Sequence, residues 1–334
     1  MKALRTLLLW VLLLAAAAAG AAAWWLNRPL ALAAESVEVS IEPGTPPRDI
    51  AQAWVQSGVR APALLLYEWF RWSGQSRKIR AGSYEIGPGT TPMGLLNKMV
   101  RGDETLSTVR LIEGWTFRQF RAELAKADSL KPTTATLSDE QLMAALGAPG
   151  VAPEGRFHPD TYAYSKGSSD IAVLKRAYHA MQKRIDAVWQ ERAADTPLRN
   201  ADDALVLASI VEKETGAPAD RGRVAGVFVN RLRIGMPLQT DPTVIYGLGA
   251  AFDGNLRKRD LLADTPWNTY TRNGLPPTPI AMPGKAALLA AVRPDPTKAL
   301  YFVARGDGSS EFSETLADHN RAVTQYQRGG QRSK

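Results

Sequence analysis

Two carboxylates, Glu212 and Glu214, stand at the end of the apolar run in LVLASIVEKETG, residues 205–216. Downstream, Asn230, Gln239, Thr240 and Asp241 supply polar groups, and the Pro- and Gly-rich run GLPPTPIAMPG (274–284) closes the stretch. A carboxyl in a partly apolar setting keeps its proton to higher pH and can serve as a general acid. That is the chemistry by which glycosidic bonds are broken. On a helix Glu212 and Glu214 lie about 200° apart, so they cannot face one groove. Glu214 precedes Thr215-Gly216, where the helix should end and a cleft can begin, but spacing alone leaves the choice between them open.

Other chemistries find little support. The three histidines, His158, His179 and His319, have no metal-ligand spacing, and no metal or cofactor is expected. His179 falls in an amphipathic helix over 171–190 and is expected to face solvent. Ser209 sits inside an apolar helix without the glycine pattern of a nucleophile elbow, which argues against a Ser/His/Asp triad. The chain has no Cys, so neither a disulfide framework nor a thiol nucleophile is available. Net charge is +8; Lys2, Arg5 and Arg28 supply three, leaving five for the rest. That excess suits an anionic polymer as partner, whereas the dispersed Lys and Arg residues are no nucleic-acid signature.

These residues need elements to hold them. Lys2 and Arg5 precede Leu7–Leu26, a run of uncharged, mostly Leu and Ala residues ending near Trp24-Trp25. Twenty helical residues rise about 30 Å, enough to cross a bilayer core. The basic residues put the N-terminus in the cytoplasm, and the Trp pair suits the far interface. A cleaved signal peptide is the rival reading, with Ala31 and Ala33 as its small-residue pattern. The length of the run and the intervening Trp24, Trp25 and Arg28 favour an uncleaved anchor.

Residues 29–38 read as a short tether. VEVSI (37–41) alternates like a half-buried strand, followed by a Pro-Gly-Thr-Pro turn and a short helix. SYEI (83–86) and a second such turn repeat the unit 45 residues later, with an aromatic helix, ALLLYEWFRW (63–72), between them. Trp54 and Trp69 are explained by helical core spacing. A third strand is expected over 108–112, a helical insertion within 127–152, a bend-rich loop over 154–162, a strand over 299–304, a Gly-rich turn over 305–309, and a last helix over about 314–328.

Several segments together resemble the endolytic murein transglycosylases of the YceG-like family: ASIVEKET (208–215), VFVNRLRIGMPLQTDPTVIYG (227–247), WNTYTRNGLPPTPIAMPG (267–284), LYFVARGDG (300–308) and LADHN (316–320). EGRFHPDTYAY (154–164) and VRLIEGW (109–115) fit the same pattern, although His158 departs from the usual aromatic. The resemblance implies an α+β fold with a transmembrane anchor (1–28), a tether and LysM-like module (29–107) and a catalytic domain (108–330). The LysM resemblance implies binding of N-acetylglucosamine-containing glycans. The family resemblance implies a lyase that cuts the β-1,4 bond from N-acetylmuramic acid to N-acetylglucosamine in peptidoglycan, leaving 1,6-anhydro ends and terminating strand elongation. Its catalytic glutamate is the second of the E-K-E pair, here Glu214. As partners it implies nascent glycan strands, the inner membrane and peptidoglycan synthases, with the catalytic domain in the periplasm.

Around Glu214 the expected substrate contacts are Asn230, Gln239, Thr240, Asp241 and Tyr246. Asn268, Thr269 and Tyr270 are candidates for a cleft wall or a rigid loop. Glu212 is expected to pair with an arginine such as Arg231 or Arg233. Two rivals remain: a glycan-binding scaffold without catalysis, and a hydrolase using Glu214 with Asp241 or Glu212.

Overall fold

The computed structural model describes residues 2–328, the side chains of residues 2–4 and 328 excepted. Residues 329 and 330, the end of the expected catalytic domain, lie outside the described residues. The fold is mixed α+β and divides into two units. The first comprises residues 1–108 with the short segments 128–131 and 163–168, and the second comprises 109–127, 132–162 and the chain from 169 onward.

The first unit begins with α1 (Lys2–Asn27), of which Arg5–Asn27 is long and apolar enough to cross a membrane. Then follow β1 (Val37–Ile41), α2 (Pro47–Gln56), α3 (Ala63–Trp72), β2 (Gly82–Ile86), α4 (Pro92–Arg101) and β3 (Leu106–Arg110). β1 and β2 pair antiparallel, Val37 opposite Ile86 and Ile41 opposite Gly82. Each turn sets up a helix start: Pro47 and Pro92 take first-turn positions where a missing N–H costs nothing, and the Thr91 hydroxyl accepts from Gly94 N at 3.0 Å. Gly102 ends α4 in the left-handed region, φ 75°.

Trp54, Leu66, Phe70, Tyr84, Leu95, Leu96 and Met99 are fully buried between the ribbon and its helices. Trp54 Nε1 points at Met99 Sδ, 3.3 Å away, and Trp69 Nε1 donates to the Pro92 carbonyl at 3.1 Å. Both tryptophans therefore serve packing. Replacing Trp54 by Ala should cost about 3–5 kcal/mol in the first unit, read as a lower denaturant midpoint for that unit's transition.

Residues 29–38 are no free tether. Leu30 is buried and its N–H donates to Thr90 O at 2.8 Å; Ala33 N donates to Gly58 O and Arg60 N to Ala31 O, both at 2.8 Å. The sequence hid this because the pairing is an isolated bridge, Leu32 against Val59, too short to leave a pattern.

The second unit carries α5 (Phe117–Lys126), α6 (Asp139–Ala145), β4 (Thr161–Ser165), α7 (Asp170–Gln190), α8 (Ala201–Glu214), α9 (Arg221–Arg233), α10 (Asp241–Leu248), α11 (Lys258–Leu262), α12 (Lys285–Val292), β5 (Tyr301–Ala304), β6 (Ser310–Ser313) and α13 (Leu316–Val323). The chain changes units within β3 and again within β4. At the centre lies α8, buried without interruption from Ala204 to Val211. A helix apolar on all sides must be surrounded, and α7, α9, α10 and α12 pack around it.

Four local expectations shift. The third strand starts at Leu106, two residues early. The 127–152 insertion holds only the seven-residue α6. Strand β4 starts inside the expected 154–162 loop, where Gly155 and Pro159 outweigh the strand signal of Tyr162 and Tyr164, and β6 fills residues 310–313 between the expected turn and the last helix, too short to leave a pattern. The last helix is α13, continued by a π-type turn over Thr324–Arg328.

Candidate active site

Glu214 is the last residue of α8, because Thr215 turns to extended backbone, φ −82° and ψ 107°. The Thr215 hydroxyl satisfies the Val211 carbonyl at 2.7 Å. At the other end the Asn200 side chain accepts from Asp203 N at 2.8 Å. Glu214 thus emerges from the central helix at the point where that helix meets a cavity of about 610 Å³. Gln239, Asp241, Tyr270, Tyr301 and Phe302 line the same cavity.

Burial pushes the Glu214 carboxyl above its ordinary 4.5, and Asp241 adds to the rise. The Thr240 hydroxyl, which donates to Glu214 Oε1, and the Arg231 guanidinium oppose it. A helix C-terminus also disfavours a negative charge. The proton is therefore held to higher pH than on an ordinary carboxyl, which favours donation to a leaving oxygen.

Thr240 is held from several sides. Its N–H donates to Thr269 Oγ1 at 3.1 Å, its carbonyl accepts from the Thr243 hydroxyl at 2.7 Å, and Thr243 and Thr269 meet at 2.9 Å. Gln239 precedes it in the left-handed region, φ 48°, pinned by its N–H to Thr269 O at 3.1 Å. A non-glycine residue pays about 1–3 kcal/mol for such a backbone, so the surrounding bonds must fix it. The Asn268 amide in turn anchors the loop to Leu261 O and Ala263 O, at 3.0 and 2.7 Å. Asn268 and Thr269 are buried scaffold; Tyr270 lines the cavity and donates to Asp241 Oδ1 at 2.6 Å.

Arg231 was not foreseen here. Its Nε donates to Leu300 O at 2.7 Å and its Nη1 to Leu238 O at 2.8 Å, tying α9 to the residue before β5 and to the residue before Gln239. It also lies over the Tyr301 ring, 5.2 Å from the centroid, while His319 stacks on that ring at 5.2 Å. The signal was present: an arginine three residues after Phe228 sits on the buried stripe of α9. Glu212 has neither expected arginine partner. It accepts from Gly284 N at 2.9 Å, since the turn of the helix points it away from Glu214. Arg233 instead pairs with Asp195 at 2.6 Å.

Of the five expected contacts, Gln239, Thr240 and Asp241 gather at Glu214. Asn230 does not: its amide donates to Thr297 O and Ala299 O, at 2.8 and 3.1 Å, on another face of α9. Tyr246 does not line the cavity either. Five residues along α10 from Asp241, it donates to Glu154 Oε2 at 3.2 Å and packs edge-on to Trp267.

Glu154 is the second carboxyl of note, 6 % exposed. Its oxygens accept from Phe117 N at 3.0 and 3.2 Å, at the start of α5. Gly155, φ 78°, makes the turn behind it, and a Cβ there would fall 2.5 Å from Pro279. Burial raises its pKa to about 7 against the hydrogen bonds from Phe117 and Tyr246.

Ser209 is buried and structural, donating to Val206 O and accepting from Ile280 N. His158 is buried beside Ala177, and His179 is exposed. Among the described residues, no group of three or more His, Asp or Glu is placed to hold a metal ion.

On this α+β scaffold a central helix ends in a shielded carboxyl with an aromatic-walled cavity in front of it, an arrangement suited to acid–base chemistry. The model of the YceG-like family matches residues 39–325, and the chain belongs to that family. It is 31 % identical over 308 residues to an endolytic murein transglycosylase of Bacillus subtilis (strain 168), with 87 % of this chain and 85 % of the relative covered. It is 24 % identical over 323 residues to an endolytic murein transglycosylase of Streptococcus pneumoniae (serotype 2, strain D39), covering 87 % of this chain and 58 % of the relative. The crystal structure of a YceG-like protein from Listeria monocytogenes matches with a TM-score of 0.54 and 28 % identity, over 86 % of this chain and 98 % of that one.

Proposed function

We propose that the protein is a membrane-anchored endolytic murein transglycosylase in which Glu214 is the single acid–base group. The observation that carries this is the Glu214 carboxyl itself, shielded at the end of α8, held by Thr240 and open to the aromatic-walled cavity. The names of the Bacillus and Streptococcus relatives support the same substrate.

The reaction needs one carboxyl. Protonated Glu214 donates to the bridging oxygen as the bond from muramic acid C1 breaks, releasing the N-acetylglucosamine 4-hydroxyl. The exocyclic C6 hydroxyl of the same muramic acid attacks C1, tethered at high effective concentration. Glu214, now a carboxylate, takes the C6 hydroxyl proton and is an acid again. No water is consumed, and the product ends in a 1,6-anhydro ring. Arg231 and Thr240 steady the carboxylate between the two transfers; Tyr270 holds Asp241, and Gln239 and Asp241 face the sugar.

Asp241 also supports a second reading, because it places another carboxylate on the same cavity and hydrolases use two. Digestion of purified glycan strands, with the new ends weighed by mass spectrometry, separates the readings: anhydro ends for the lyase, reducing ends one water heavier for the hydrolase.

Thr240→Val tests the placement of the acid. Losing a hydrogen bond to a charged group should lower kcat by about tenfold to a hundredfold. Because the hydroxyl holds the Glu214 pKa down, the alkaline limb of the pH–rate profile should move to higher pH.

Attachment through α1, with the N-terminus cytoplasmic and the chain beyond α1 periplasmic, is supported by Lys2 and Arg5 ahead of the uncharged run Leu7–Leu26 and by Trp24-Trp25 near its far end. This holds the cavity near strands as they emerge from the membrane, where peptidoglycan synthases would be its neighbours. In the first unit, the βααβ arrangement of β1, α2, α3 and β2 is the part we assign to a LysM-like role on glycan.

A further inference from the structure

The first unit leaves the end of α1 with almost no slack. Only Arg28 and Pro29 stand between Asn27 and buried Leu30, whose N–H is bonded to Thr90 O at 2.8 Å. Trp25 already packs on the core of the unit. Two further links lead from this exit point to one helix. Ala31 O accepts from Arg60 N at 2.8 Å, three residues before α3 begins, and Pro92 O, two residues beyond Thr90, accepts from Trp69 Nε1 on α3 at 3.1 Å.

That helix is amphipathic in an unusual way. Leu66 and Phe70 fill the core, yet Leu64, Leu65 and Trp72 are 66, 46 and 80 % exposed. Trp72 is the most exposed large apolar side chain among the described residues, α1 included. From Arg60 to Arg80 the chain carries five basic residues and one acid, Glu68, half of the net charge of the whole protein. Glu68 is itself engaged, accepting from Trp72 Nε1 at 3.0 Å and lying 3.7 Å from Arg71.

We propose that the exposed face of α3, centred on Leu64, Leu65 and Trp72, lies in the headgroup layer of the bilayer that α1 spans. The proposal rests on α1 being a membrane anchor. Exposed leucines together with a tryptophan suit the boundary between headgroups and acyl chains, and surrounding Arg and Lys side chains suit anionic lipid. The short connection from Asn27 to Leu30 brings this face to the surface without further ordering cost. A second attachment fixes the tilt of the first unit, which a single helix leaves free to swivel.

The chain has no cysteine, so single ones can be introduced and labelled with a polarity-sensitive fluorophore. The full chain is reconstituted in vesicles of phosphatidylethanolamine and phosphatidylglycerol. The sites are Leu65→Cys and Trp72→Cys on α3, Leu14→Cys within α1, and Glu42→Cys. Glu42 follows the end of β1 farthest from the Leu30–Thr90 contact. The expected result is that the α3 probes shift to the blue, lose most of their emission to nitroxide lipids and resist iodide, while the Glu42 probe stays open to iodide. If the Leu14 probe lies in lipid but the α3 probes behave like Glu42, the anchor stands and the proposal falls. If the Leu14 probe is also open to iodide, anchor and proposal fall together. Shielding of α3 that appears only as protein density rises would assign the face to a second copy of this chain and equally overturn the proposal.

Discussion

Replacing Glu214 by Gln should lower turnover of glycan strands by about three orders of magnitude or more, with the thermal unfolding midpoint of the second unit unchanged or raised. General acid–base groups contribute about 10²–10⁴-fold, and in the proposed reaction one group serves both proton transfers. Stability should not suffer, because burial already disfavours the charge on this carboxyl. Gln can still accept from the Thr240 hydroxyl while lacking the proton to donate. Glu212→Gln is the matching control. Its carboxylate accepts from Gly284 N and faces away from the cavity, so turnover should fall by no more than a few fold. Chain release from glycan, followed by chromatography of the fragments, reads both variants.

The second large effect concerns Glu154. Its carboxyl is buried between the start of α5 and Tyr246 of α10, with a pKa of about 7 against the ordinary 4.5. Desolvation is the main cause, and the nearby charge of Asp139 adds to it. The folded state therefore holds this proton more tightly than the unfolded chain. Its stabilising contribution is full below about pH 4.5 and is lost as pH rises through about 7. The interval from 4.5 to about 7 corresponds to about 3 kcal/mol. Glu154→Gln removes the ionisation while keeping an acceptor for Phe117 N and a polar partner for Tyr246. At about pH 8 the variant should melt about 6–12 °C above the parent, and near pH 4.5 the gap should close. Thermal scans of the full chain at the two pH values, following the second unit's transition, check this. A gap that is the same at both pH values would mean the carboxylate is not the destabilising group.

Why Glu154 escaped the sequence is instructive. EGRFHPDTY reads as bends, because Gly155 and Pro159 dominate it, and nothing in the string says that its first residue is buried under a helix start. Tyr246 suffered the opposite error. Its place in QTDPTVIYG suggested the sugar cleft, but five positions along α10 turn it from Asp241 toward Glu154. Asn230 was misassigned for a similar reason, since it shares a helix with Arg231 yet faces Thr297 and Ala299.

What was legible came from long periodic signals. The apolar run before Glu214 marks a helix ending at the carboxylates, and α8 is that helix. The alternation in VEVSI and the paired Pro-Gly-Thr turns gave the ribbon of the first unit and the helices after each turn. Short elements stayed hidden: β6 spans four residues, and the Leu32–Val59 bridge that pins the supposed tether spans one on each side. Arg231 shows a different limit. A charge on an apolar stripe invites the search for an acidic partner, whereas the donors that can be traced go to backbone carbonyls on either side of the cavity.

In the proposed lyase reaction the nucleophile is the sugar's own hydroxyl, and Glu214 carries the proton in both directions. Digestion of defined glycan strands by the full chain in water enriched in ¹⁸O tests that directly. The account predicts new muramic ends that carry no heavy oxygen and weigh one water less than a reducing sugar. Heavy oxygen at C1 of those ends would mean that water attacks, that a second carboxylate such as Asp241 activates it, and that the single-carboxyl mechanism is wrong.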